Sequence, residues 1–71
     1  MASFKPKEII RILLKLGFYE KRQSGSHKIM YNPDLKKIIP VPMHCREIKR
    51  GLVKGIIKEA NSTEVEFVKL K

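Results

Sequence analysis

A 71-residue chain with one cysteine, Cys45, cannot staple itself with an internal disulfide. Natural chains of this size often lean on disulfides or a metal, because a small domain buries only about 60% of its unfolded surface. This chain must instead bury one well-packed apolar core, and a second core would not fit. Apolar residues make up 42% of it, too many for a disordered basic tail. A lone cysteine fits a reducing, cytoplasmic setting. The N-terminus has no long apolar stretch of the signal-peptide kind, and no run approaches the ~20 apolar residues of a membrane span.

Charge narrows the reading. Sixteen Lys and Arg stand against seven Asp and Glu, a net of +9. Residues 1–58 carry +10 of it, and residues 59–71 carry −1. The cationic surface therefore belongs to the body of the chain, with a core expected over 4–60 and an appendage over 61–71 of a single 1–71 domain. Such an excess points to a polyanionic partner.

Residues 6–16 read as a helix. Pro6 suits the first helical position. Phe4 and Ile9 have the spacing of a hydrophobic staple about a cap at Lys5. Ile9, Ile10, Leu13, Leu14 and Leu16 read as the apolar face, and Gly17 as a left-handed cap. Lys7, Arg11 and Lys15 form a basic ridge opposite. Residues 18–23, 27–32 and 36–41 read as strands, separated by the turn signals Ser24-Gly25-Ser26 and Asn32-Pro33-Asp34. Alternation sets His27, Ile29 and Tyr31 on one side and Lys28, Met30 and Asn32 on the other. Pro40 and Pro42 confine the third strand to an edge or end it early. Residues 50–60 read as a second helix, with Val53, Ile56, Ile57 and Ala60 inward and Arg50, Lys54 and Lys58 as another basic ridge. For residues 62–70 two signals compete: Thr63 and Glu66 have capping-box spacing, while Glu64 to Phe67 alternates like a strand.

The expected fold is α+β, in the order α-β-β-β-α. A three-stranded antiparallel sheet with two helices on one face satisfies that order with short connections. This is the layout of double-stranded-RNA-binding domains.

Lys5-Pro6-Lys7-Glu8, Gly17-Phe18, Gly25-Ser26-His27, Asn32-Pro33-Asp34 and Val41-Pro42-Met43-His44, followed by Glu47-Ile48 and Gly51, stand in that order and spacing across residues 4–60. In this the chain resembles the HicA-type (YcfA-like) mRNA interferase toxins of toxin–antitoxin pairs. The resemblance implies the same α-β-β-β-α fold, cleavage of mRNA without a metal or small-molecule cofactor, and inhibition by a HicB-type antitoxin. The family's catalytic histidine, in its Gly-Ser-His motif, corresponds to His27. Where members often have Gly-Thr-Leu opening the second helix, this chain has Gly51-Leu52-Val53, so no RNA contact is assigned to position 52.

The residues allow the chemistry. RNA brings its own nucleophile, the 2′-OH, and a histidine titrating near neutrality can take its proton. Nearby cations stabilise the charge that builds on phosphorus. Arg22, across the turn, is the expected phosphate partner, with Lys21 as a further candidate. The Ser26 hydroxyl is a second candidate phosphate contact. Lys28 is adjacent in sequence, although alternation turns it from His27. Lys7, Arg11 and Lys54 on the two ridges complete the candidate RNA-binding set. Without the resemblance, a histidine after a Gly-Ser turn is ordinarily a strand-edge residue, and basic helix faces are ordinarily just solvated. A non-catalytic RNA-binding module and a basic domain that docks an acidic protein are the alternatives. His27, His44 and Cys45 lack the number and spacing of a metal site, and nothing marks Cys45 as an activated nucleophile.

Overall fold

The computed structural model describes residues 3–71; the first two positions of the expected 1–71 domain lie outside the described residues. Helix α1 spans Pro6–Lys15, strands β1, β2 and β3 span Tyr19–Ser24, His27–Asn32 and Lys37–Pro42, and helices α2 and α3 span Arg50–Glu59 and Glu64–Leu70. The strands form one antiparallel sheet in the order β1-β2-β3. The α-β-β-β-α order is thus the one expected, with a third short helix added.

Helix α1 begins at Pro6, where a missing N–H leaves no bond unmade. The Glu8 carboxylate accepts a hydrogen bond from the Lys5 backbone N–H at 2.8 Å, and Phe4 and Ile9 on either side of the cap are fully buried. The helix ends in a Schellman motif: the N–H of Phe18 donates to the Leu13 carbonyl at 2.9 Å, and that of Gly17 to Leu14 at 3.2 Å. Gly17 is left-handed, with φ +95°, and a side chain there would crowd Asn32. The apolar face differs from expectation by one step. Ile9, Ile12 and Leu13 are buried, while Leu14 is 53% exposed on the Lys7–Arg11–Lys15 side. At 3.6 residues per turn, Ile12 rather than Leu14 is in line with Ile9, Leu13 and Leu16.

Met30, Ile39 and Val41 point from the inner face of the sheet into the core, where Val53, Ile56 and Ile57 of α2 meet them. Both α1 and α2 pack on β3. Strand β3 runs one residue later than expected and does form the sheet edge, which is where Pro40 is tolerated. Asn32 is the one buried polar side chain among the described residues. Its Oδ1 accepts from the Asp34 and Leu35 N–H groups at 2.9 and 3.1 Å, and its Nδ2 donates to the Leu16 carbonyl at 3.3 Å. One side chain therefore builds the β2–β3 turn and ties it to the end of α1.

The segment expected as an appendage folds back. Asn61, with φ +53°, is the left-handed residue of a second Schellman motif at the end of α2, in which the Ser62 N–H donates to Ile57 and its own to Lys58, both at 3.1 Å. Thr63 then caps α3, accepting the Glu66 N–H at 3.1 Å, so the capping signal prevails over the strand alternation. Phe67 is fully buried and meets Phe4 edge-to-face, with centroids 6.1 Å apart. Lys15 reaches the Leu70 carbonyl at 3.2 Å, and Lys71 the Ser3 carbonyl at 2.7 Å, which fastens α3 to α1.

Candidate functional site

His27 opens β2, directly after a two-residue hairpin turn. Ser24 pairs with His27, and Gly25 between them has φ +59°, as the first position of a type II′ turn requires. On the other side, His27 is in register with Pro42, and the Met43 N–H donates to the Ser26 carbonyl at 2.7 Å. The imidazole is exposed on the outer face of the sheet, away from the helices. None of the hydrogen bonds or ion pairs among the described residues involves it.

Register fixes which side chains share that face. Cross-strand partners project together, so Ser24, His27 and Pro42 form one row, Arg22, Ile29 and Pro40 the next, and Tyr19, Tyr31 and Ile38 the third. Strict alternation along β1 would send Lys21 and Arg22 to opposite faces. A β-bulge between Glu20 and Arg22 changes this by inserting Lys21 as an extra residue. Arg22 then sits opposite Ile29, diagonal to His27 at a spacing of about 7–8 Å, within reach of a long guanidinium. The Lys21 ammonium lies over the Tyr31 ring, 5.1 Å from its centroid.

Lys28 faces the other way, toward the helix side, and pairs with Glu20 at 3.4 Å. The sheet thus separates it from His27, as alternation alone requires. Lys7 and Arg11 line a different feature, a cleft of about 440 Å³ between the start of α1 and the loop after β3. Lys5, Met43, Cys45 and Arg46 complete most of its wall. The Ser26–Met43 bond joins that loop to the turn before His27, so cleft and histidine lie at the same end of the molecule. Lys54 is on the exposed face of α2 and does not line the cleft. Arg46 belongs to no motif of the sequence, and its only signal there is a basic run with Lys49 and Arg50. His44 is exposed in the same loop, and it is Pro42 that stands opposite His27.

Among the described residues, three of the 16 Lys and Arg are ion-paired: Lys28 with Glu20, Lys37 with Glu59 and Lys71 with Glu8. The others have no carboxylate within 4.0 Å among the described residues. A surface of largely uncompensated cations attracts polyanions and binds them less tightly as salt rises. No three His, Cys, Asp or Glu residues cluster as metal ligands among those described. No helix there is long and apolar enough to cross a membrane.

The comparisons with known proteins agree with the resemblance. A family model described as the HicA toxin of bacterial toxin–antitoxin matches residues 6–61, most of the chain. No curated protein matches it.

Proposed function

The chain belongs to the HicA toxin family of bacterial toxin–antitoxin pairs, and on that premise we propose that it is a metal-independent endoribonuclease that cleaves mRNA in the cytoplasm through His27. The observation that carries this reading is an exposed imidazole at the rim of an open sheet face, with Arg22 diagonal to it and the turn backbone of Gly25-Ser26 beside it.

The chemistry is short. A neutral His27 takes the proton of a ribose 2′-OH, whose oxygen attacks the adjacent phosphorus. The bond from phosphorus to the 5′-oxygen breaks, leaving a 2′,3′-cyclic phosphate on one fragment. The departing 5′-oxygen takes a proton from water on this solvent-open face, and the imidazolium returns its own proton to solvent. Arg22 stabilises the added negative charge on the phosphorane, since a fixed cation helps most where charge develops. The Ser26 hydroxyl is the second phosphate contact. Lys7, Arg11 and Lys54 hold the rest of the strand by charge. Lys28, spent on Glu20 behind the sheet, contributes to the field and touches no reacting atom.

A toxin of such a pair has a cognate antitoxin. We assign it to the HicB type, an acidic protein that silences the nuclease by covering the same cationic surface. Expression without the antitoxin should arrest growth, and His27→Ala should relieve the arrest while the protein remains folded. An equally toxic His27→Ala variant would favour a module that binds RNA without cutting it, or one that only docks an acidic protein.

A further inference from the structure

The outer sheet face carries more than a nuclease centre requires. The wet side of a one-sided antiparallel sheet is ordinarily polar. Here its far row holds Tyr19, Tyr31 and Ile38, with Tyr19 47% and Ile38 51% exposed. The two tyrosine rings meet edge-to-face, with centroids 5.7 Å apart and planes at 89°. The bulge adds Lys21 and Arg22 side by side on this face. The carboxylate of the same strand, Glu20, is on the inner side with Lys28.

We propose that this face is a stacking platform for single-stranded RNA, with Tyr19 taking one base and Lys21 and Arg22 the phosphates that run toward His27. The inference rests on the nuclease reading for the role of His27. Every base has a π-face, so an exposed aromatic ring grips an unpaired strand whatever its sequence, while adjacent cations follow the backbone. Tyr31 braces the platform: its ring contacts both the Tyr19 ring and the Lys21 ammonium. Tyr31 is four positions along β2 from His27, about 13 Å of extended strand. The stacked base is therefore not the one beside the cleaved bond, and Tyr19 acts by positioning the strand. A duplex hides its base faces within its own stack, so the platform discriminates against double-stranded RNA even though the fold is of a kind that elsewhere binds it.

The chain has two tyrosines and no tryptophan, and both tyrosines are in the platform. Intrinsic tyrosine fluorescence therefore reports on this face alone. The probe is a short 2′-O-methyl oligoribonucleotide of mixed sequence, which binds but cannot supply the attacking hydroxyl. Binding should quench the fluorescence. Tyr19→Leu, which keeps an apolar side chain at an exposed position, should weaken affinity roughly 5- to 100-fold, and Tyr19→Phe should restore it. The same strand annealed into a duplex should bind more weakly. Unchanged affinity in Tyr19→Leu, binding without quenching, or a duplex that binds as well would each overturn the platform. So would a tyrosine signal that answers to an acidic protein and not to RNA. Cleavage of unmodified RNA, measured in parallel, separates the two ideas. Wild-type cleavage with normal binding by Tyr19→Leu defeats the platform alone, whereas Tyr19-dependent binding without cleavage supports the platform and defeats the nuclease.

Discussion

Replacing Asn32 with alanine should cost this small domain a large part of its stability. Its side chain is 3% exposed and makes three hydrogen bonds, two to the N–H groups of the β2–β3 turn and one to the carbonyl at the end of α1. A typical intramolecular hydrogen bond contributes about 0.5–1.5 kcal/mol net, so three give about 1.5–4.5 kcal/mol. The freed Asp34 and Leu35 N–H groups lie in a surface turn and regain water, which brings the expected loss to about 2–3 kcal/mol. At roughly 0.05–0.15 kcal/mol per residue, the whole chain has about 4–10 kcal/mol to lose. For a domain of this size the melting temperature should fall by about 10–20 °C. Thermal and urea melts followed by circular dichroism read this directly. Asp34→Ala is the control: that side chain is exposed and the turn uses only its backbone, so the change should stay within about 0.5 kcal/mol. If Asn32→Ala melted within a few degrees of wild type, Asn32 would not be the tie between turn and helix described above.

Phe67→Ala should destabilise by about 3–5 kcal/mol, because it empties a fully buried site and removes an edge-to-face partner of Phe4. A variant as stable as wild type in urea would return residues 61–71 to the status of an appendage. Gly55→Ala should stabilise by about 0.8–1 kcal/mol, since a methyl group there meets nothing within 4 Å and alanine is the better helix former. A lower urea midpoint for this variant would contradict the open space described at Gly55.

The parts legible in sequence are those set by local chemistry. Pro6, Gly17, the Gly25 turn and the Asn32-Pro33-Asp34 turn each impose a backbone state on their own neighbours, and α1 and the sheet follow from them; α2 follows from the spacing of Val53, Ile56, Ile57 and Ala60. Ile12 was missed because residues 9–14 are apolar except for Arg11, and a nearly continuous run blurs the period. The tail was ambiguous because capping and alternation compete there, and burial of Phe67 against Phe4, 63 residues earlier, decides it. At the candidate site, His27 and Arg22 could be set near each other from the tight turn. The bulge that turns Lys21 and Arg22 to one face could not, since it exists only in the pairing of two strands. The cleft joining Lys7 and Arg11 to Arg46 is likewise a product of tertiary folding.

The central claim is that His27 drives attack by the RNA's own 2′-OH. Its most direct test is incubation of purified protein with a defined single-stranded RNA in the presence of a chelator, with the fragments separated on a denaturing gel and their ends identified. Cleavage should give 2′,3′-cyclic phosphate and 5′-hydroxyl ends, and His27→Ala should lower the rate by about 100-fold or more, the usual contribution of a positioned general base. Fragments bearing 5′-phosphates, or undiminished cleavage by a folded His27→Ala protein, would contradict it.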